Sequence, residues 1–337
     1  MSTPVNRQIL LAARPTGTIK ASDFKYVESA PPVPGPDQAL VRNLYLSLDP
    51  AMRGWMREGD SYIEPVKLGD VMRGGTIGEV VASNSPAFAV GDKVFGMGGW
   101  QDYYLVHAKS GARVLPADVP FPLTSFLSVL GITGLTAYFG LLDVGKPKAG
   151  ETVVVSTAAG AVGSIVCQIA KIQGCRVVGI AGSDEKCAWI KNELGVEAAI
   201  NYKTQDVATE LRTACPKKID VYFDNVGGEI LNTVLGMINV HARVVVCGAI
   251  TQYNATQPTP GPSNYITLLT KRSRMEGFVV IDYMDRAMEG IMQLGQWLAE
   301  GRLRYREDIV DGLEHAPTAI LRLFNGSNTG KLIVKIA

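Results

Sequence analysis

From residue 151 onward, short runs rich in apolar and β-branched residues alternate with stretches whose apolar positions recur every three or four residues. The runs at 152–156, 176–180, 198–201, 220–223, 243–247 and 274–280 predict six strands, and 184–194 and 205–214 predict helices between them. Val162, Ile165, Val166 and Ile169 fall at i, i+3, i+4 and i+7, the buried face of a helix after the first strand. Strands alternating with helices in this way predict a parallel, doubly wound sheet of the α/β class.

The stretch before residue 150 is patterned differently. It is rich in Pro and Gly, with short β-branched or aromatic runs at 40–46, 76–82, 92–95 and 103–106. Turn formers such as Pro34-Gly35-Pro36 and Gly91-Asp92 separate the runs, which predicts an antiparallel β domain. A more helical patch at 123–142 leads out of it. After a long helix near 283–300, the tail from residue 304 returns to short strands and turns, so the α/β domain reads as an insertion into the β domain. Residues 152–170 carry no charge over nearly the length of a membrane span. Gly160 and Gly163 interrupt that stretch, however, and β-branched residues crowd only its first part, so a strand, a tight turn and a helix are expected there.

Composition narrows the class. At 337 residues the chain is long enough for two domains, and 47% apolar against 19% charged residues excludes disorder driven by charge. Lys+Arg 33 against Asp+Glu 32, with no run of like charge, argues against a large basic surface for nucleic acid or an anionic membrane. The five cysteines include no C-x-x-C pair and the three histidines lie far apart, so neither a disulfide framework nor a short-spacing zinc site is expected. Reduced thiols in a cytoplasmic protein are the expectation, and the N-terminal stretch shows no secretion signal.

Chemistry enters where the first strand runs into Ser156-Thr157-Ala158-Ala159-Gly160-Ala161-Val162-Gly163, an A-x-G-x-x-G turn with Ala158 in the place of the usual first glycine. At such a turn Gly160 lets the backbone approach a pyrophosphate, Gly163 lets the helix pack on the strand, and the helix N-terminus offers N–H groups to the anion. A strand before it and an amphipathic helix after it support dinucleotide binding. The second strand ends in Ala181-Gly182-Ser183, with no carboxylate to accept ribose hydroxyls or repel a 2′-phosphate. Lys186 follows as a compact cation, and NADPH is the expected cofactor. Asp184 and Glu185 read as first-turn residues serving the helix dipole.

Further motifs stand in a fixed order: Tyr45-Leu46-Ser47-Leu48-Asp49-Pro50, the glycine turn, Gly182-Ser183-Asp184-Glu185-Lys186, Asn201-Tyr202-Lys203, Asp224-Asn225-Val226-Gly227-Gly228, Cys247-Gly248-Ala249-Ile250 and Asn328-Thr329-Gly330-Lys331. As a set, spanning nearly the whole chain, they resemble the zinc-independent medium-chain dehydrogenase/reductases, in the branch of prostaglandin, plant alkenal double-bond and curcumin-type reductases. The resemblance implies a Rossmann domain (128–299) inserted into a GroES-like antiparallel β domain (1–127 and 300–337), and a homodimer. It implies that Gly160, Ala161, Val162 and Gly163 face the pyrophosphate and that Lys186 and Tyr202, beside Gly182, hold the 2′-phosphate. Asn225 then lines the groove, Cys247, Gly248, Ala249 and Ile250 with Phe278, Val279 and Val280 flank the nicotinamide end, and Asn328 reaches the cofactor from the tail.

The same resemblance sets the substrate side. Zinc-using relatives carry Gly-His-Glu where this chain reads Arg73-Gly74-Gly75-Thr76-Ile77-Gly78-Glu79, and no cysteine precedes Cys167, so a metal-free enzyme is expected. Hydride addition to an α,β-unsaturated ketone or aldehyde builds negative charge on the carbonyl oxygen, which calls for a hydrogen-bond donor. Tyr253 matches the tyrosine that this branch places beside that oxygen, and an unperturbed phenol, with a pKa of about 10, still donates at pH 7. Many relatives have tyrosine where this chain has Ala51, which opens one pocket wall. Arg53 either binds an acidic substrate tail or braces its loop, and Trp100 and Tyr104 are candidate pocket walls. Two rivals remain on sequence grounds, a quinone oxidoreductase and a non-catalytic NADPH-binding protein. A phosphate-loop reading of residues 326–331 fails, because the glycine spacing is short and neither Ser nor Thr follows Lys331.

Overall fold

The structure, a computed structural model, describes residues 4–337; the first residues of the stretch read for a secretion signal lie outside them. The chain divides into two compact units, one of residues 128–306 and one formed by the segments before and after it.

The inserted unit is built on six strands: β1 (Thr152–Ser156), β2 (Arg176–Ala181), β3 (Ala198–Asn201), β4 (Ile219–Asp224), β5 (Ile238–Val246) and β6 (Arg274–Gly277). Every pairing is parallel, and the spatial order is β3-β2-β1-β4-β5-β6. That order places a topological switch between β1 and β4, where ligands settle at the carboxyl ends of such sheets. All five residues of β1 are buried, as expected of a central strand covered on both faces. Helices α1 (Gly163–Ile172), α2 (Asp184–Asn192), α3 (Val207–Ala214) and α4 (Gly228–Leu235) follow β1 to β4 in turn. The uncharged stretch 152–170 is thus a strand, a turn and a helix, and no helix among the described residues is long and apolar enough to cross a membrane.

Some boundaries differ from the pattern. Strand β5 begins five residues before the expected 243, because Asn239, Val240 and His241 interrupt the apolar run and His241 takes a positive φ of 62°. Strand β6 stops at Gly277, because the Phe278 ring turns into an aromatic cluster with Phe223 and Tyr283 at 6.4 Å each. The helical patch at 123–142 is a short 3-10 turn (Leu123–Leu127), a helix (Ile132–Phe139) and a π-turn (Gly140–Gly145), with Gly131 extended between the first two. The long helix begins only at Ala287, after a 3-10 segment at Val280–Arg286.

In the other unit the strand Gln38–Ser47 is central. It pairs antiparallel with Thr76–Ser83, with Tyr103–His107 and with the tail strand Lys331–Lys335. Glu307–Asp311 lies parallel to that tail strand, and a separate two-stranded ribbon joins Asn6–Leu11 to Phe24–Ser29. The core between them includes Ile9, Leu11, Leu46, Met52, Trp100, Leu332 and Val334.

Candidate active site

The turn after β1 is shaped by backbone crowding. A Cβ on Gly163 would sit 2.3 Å from the Thr157 carbonyl oxygen and 3.0 Å from Ala158 Cα, so only glycine lets α1 start this close to the strand end. At Gly160 a Cβ would meet the Thr157 methyl at 2.9 Å, and no other part of the chain stands as close. The unusual Ala158 is buried, donates its N–H to the Ile180 carbonyl at 2.9 Å, and is admitted because β2 carries Gly179 opposite it. Gly160, Ala161 and Val162 are half-exposed just before α1, where the first N–H groups of a helix have no partner within it. Their arrangement suits an anionic group at a helix N-terminus.

At the ends of β2 and β3, Ser183 caps α2 by accepting from the Lys186 N–H at 3.3 Å. The Tyr202 ring, 45% exposed, lies over Gly182, where an added Cβ would come within 3.0 Å of it. Asn201 is buried, and its side-chain amide donates to Asp184 Oδ1 at 2.7 Å. That bond holds the Asp184 carboxylate toward β3, while Glu185 beside it is exposed on the first turn of α2. Lys186, half-buried on the first turn of α2, and exposed Tyr202 thus stand on adjoining segments with no carboxylate at the end of β2. Asn201 belonged to a motif noted in the sequence, but its pairing with Asp184 was not legible there.

The switch point between β1 and β4 is organised by polar groups that periodicity does not reveal. Asp224, 1% exposed, accepts at 2.9 Å from the N–H groups of Val226 and Gly227 and from the Tyr222 hydroxyl. Burial pushes its carboxyl above the usual carboxylate range, while the Gly227 and Val226 donors pull it back. Asn225 is fixed from both ends, its N–H donating to Ser156 Oγ at 2.8 Å and its amide to the Ser156 carbonyl at 2.7 Å. The Asp224 carbonyl then accepts from the N–H groups of Cys247 and Gly248 at 2.9 and 3.1 Å, which ties the end of β5 into the same knot. Burial, then the charge of Asp224, pushes the Cys247 thiol up to about 12. The sequence signal for this knot is a polar residue, Ser156 or Asp224, closing an otherwise apolar strand.

From that knot the chain runs into the short helix Ile250–Tyr253. Tyr253 folds back, so that its hydroxyl accepts from the Ala249 N–H at 3.4 Å and lies 2.9 Å from where a Cβ on Gly248 would be. The structure therefore brings Asn225, Cys247, Gly248, Ala249, Ile250 and Tyr253 together at the carboxyl ends of β4 and β5. A phenol that accepts one bond keeps its own hydrogen as a donor.

Other expected residues are placed differently. The half-buried Phe278 ring packs inside the inserted unit against Gly140, Phe223 and Tyr283; Val279 is half-buried and Val280 buried. In the other unit Trp100 is fully buried and stacked on Phe24 at 5.1 Å, which makes it core and not a pocket wall. Tyr104 turns its hydroxyl toward Gly96, and burial pushes that phenol up to about 12 with the Thr76 hydroxyl opposing. Arg53 is 1% exposed and donates to the carbonyls of Pro15 and Gly17 at 2.9 and 3.0 Å, the bracing role and not a presented cation. Ala51 is half-buried ahead of the helical turn Met52–Trp55, and the Asn328 amide donates to the Gly330 carbonyl at 3.0 Å. Among the described residues, no group of three or more His, Cys, Asp or Glu side chains could hold a metal ion.

Comparison with known proteins agrees with this architecture. A family model described as the N-terminal domain of oxidoreductase matches residues 7–114, and one described as zinc-binding dehydrogenase matches residues 161–297. The chain is 45% identical to the NADPH-dependent curcumin reductase of Escherichia coli, covering 98% of this chain and 97% of that one. It is 43% identical to the NADP-dependent 2-alkenal reductase of Nicotiana tabacum, covering 98% of each. The crystal structure of CurA from Vibrio vulnificus in complex with NADPH superposes with a TM-score of 0.94 at 45% identity, over 98% of this chain and 99% of that one. The chain belongs to the zinc-independent branch of the medium-chain dehydrogenase/reductase family that includes the curcumin, 2-alkenal and prostaglandin reductases.

Proposed function

We infer that the protein is a cytoplasmic, homodimeric reductase that uses NADPH to saturate the carbon–carbon double bond of α,β-unsaturated ketones and aldehydes. The observation that carries this reading is the Tyr253 phenol, seated against Gly248 and Ala249 where the ends of β4 and β5 are knotted together. The names of the curcumin and alkenal reductases support the substrate class, and the NADPH-bound relative supports the cofactor.

Each group then has a stated task. The turn from Gly160 to Gly163 holds the pyrophosphate, and Gly182, Lys186 and Tyr202 hold the 2′-phosphate. Asn225, the segment from Cys247 to Ile250, Val279, Val280 and Asn328 hold the nicotinamide end. NADPH, when bound, supplies the hydride that goes to the β-carbon. Tyr253 donates to the carbonyl oxygen as enolate charge builds there; no ligand set for zinc stands in the stretch from Arg73 to Glu79 to do so instead. Ala51 leaves room beside the substrate. For the homodimer, β6 ends the sheet with all four residues exposed, and Tyr265, Ile266 and Leu269 just before it are exposed as well. An open strand edge with apolar neighbours is the kind of surface that a two-fold partner covers. Light scattering is expected to give twice the chain mass.

The direct test is steady-state oxidation of NADPH and NADH with phenylbutenone, a small alkenal and a benzoquinone. Turnover of the enone and the enal with NADPH, and at least tenfold less with NADH, is expected. Turnover of the quinone alone would favour the quinone oxidoreductase reading, and tight NADPH binding without turnover of any of them would favour a binding protein.

A further inference from the structure

Lys331 is 2% exposed, and a fully buried ammonium calls for an explanation because burying an ion pair often adds nothing to stability relative to apolar groups of the same size. Its amine donates at 2.7 Å to the Leu48 carbonyl and at 2.7 Å to Asp49 Oδ1, while the other Asp49 oxygen accepts from the Ser47 hydroxyl. These contacts begin where the sheet ends. The tail strand pairs Lys335 with Tyr45, Val334 with Leu46 and Ile333 with Ser47, and the Leu48 N–H still reaches the Leu332 carbonyl at 3.1 Å. Beyond Leu48 the chain leaves the ladder for the helical turn Met52–Trp55, which starts with the Met52 N–H donating to the Asp49 carbonyl at 3.0 Å.

On the other side of the lysine, Gly330 takes a positive φ of 69° and its carbonyl accepts from the Asn328 amide. One buried amine therefore sits at the root of two segments, residues 49–55 and residues 328–330. We propose that Lys331, through its ion pair with Asp49, is a positioning residue that fixes the loop bearing Ala51 and the tail turn bearing Asn328 relative to one another, and so sets the wall that Ala51 offers to the substrate. The assignment of those two residues to ligands rests on the function proposed above; the latch itself rests on the contacts.

The test compares Lys331→Met with the double variant Lys331→Met/Asp49→Leu, in which no charge is left buried without a partner. A merely structural pair predicts that the double variant recovers wild-type melting temperature and wild-type kinetics together. A positioning pair predicts that melting recovers while KM for phenylbutenone stays about tenfold raised and kcat changes by less than about threefold. Hydrogen exchange at Met52, Arg53 and Gly54 is expected to be about tenfold faster in the same double variant, and this is read without any turnover. A double variant with KM within twofold of wild type and unchanged exchange overturns the proposal. If wild-type protein turns over no enone, the functional reading falls and the exchange measurement alone decides the latch.

Discussion

Tyr253→Phe is expected to lower kcat for phenylbutenone by about 10²–10³ while leaving the Kd for NADPH within about twofold. Removing one donor aimed at a developing oxyanion costs roughly 2.7–4 kcal/mol of transition-state stabilisation, which is that factor in rate. The substitution deletes only the hydroxyl. In the folded chain that hydroxyl accepts a long bond from the Ala249 N–H, at 3.4 Å, so the melting temperature of the variant is measured beside its kcat. Activity falls but does not vanish, because a ribose hydroxyl of the cofactor can share the task. Turnover within threefold of wild type would remove Tyr253 from the mechanism, whatever the protein binds.

Gly163→Ala carries the second large effect, on stability and cofactor together. Alanine in a helix is intrinsically better than glycine by up to about 1 kcal/mol. Against that, its Cβ would lie 2.3 Å from the Thr157 carbonyl oxygen and 2.9 Å from the Thr157 carbonyl carbon, backbone atoms that no rotamer change can move. Overpacking of this kind costs roughly 1–3 kcal/mol, so the clash outweighs the propensity. A drop of several degrees in melting temperature and at least a tenfold weaker Kd for NADPH are expected as α1 is displaced. Gly160→Ala separates the two roles. Its nearest neighbour is the Thr157 methyl at 2.9 Å, with the Thr157 carbonyl oxygen at 3.2 Å and not 2.3 Å, so the loss of stability should be smaller than for Gly163→Ala while NADPH still binds at least tenfold more weakly. Equal drops in melting temperature in the two variants would refute the distinction.

Much of the inserted unit was legible because its strands are buried on both faces. A run such as Val153, Val154 and Val155 has no polar face to confuse the reading, and Ile165, Val166 and Ile169 on α1 are buried, with only Val162 half-exposed at its N-cap. The edge strand β6 was harder: all four of its residues are exposed and two of them, Arg274 and Glu276, are charged, so the pattern marks neither a core nor a clear end. Local pattern also says nothing about which way a loop side chain turns. Trp100 and Tyr104 looked like pocket walls because large aromatics line pockets, yet one stacks in the core and the other points at Gly96. Arg53 resolved to its bracing role only once the carbonyls of Pro15 and Gly17 were placed 36 or more residues away in sequence.

The polar knot at the switch point was illegible for a related reason. Ser156 closes β1 while Tyr222 and Asp224 share the end of β4, and they mean nothing singly, but parallel register brings the two strand ends within hydrogen-bonding reach. Nearby, Asn201 and Asp184 look like a turn former and a helix-start acid until β3 is laid beside β2. Where the sequence did speak for the site, it did so through backbone demands. Gly160 and Gly163 are fixed by crowding around Thr157, and crowding of that kind leaves a trace in residue type. Lys331, rejected as a phosphate-loop lysine on glycine spacing and on the residue that follows it, carries no such trace of its partnership with Asp49.

Product analysis after reaction of phenylbutenone with NADPH deuterated at both C4 positions of the nicotinamide is the most direct probe of the chemistry assigned to Tyr253 and its surroundings. The expected product is phenylbutanone with one deuterium on the carbon β to the carbonyl, formed by wild-type protein and far more slowly by Tyr253→Phe. An allylic alcohol labelled on its carbinol carbon, or a saturated ketone carrying no label, would contradict the account.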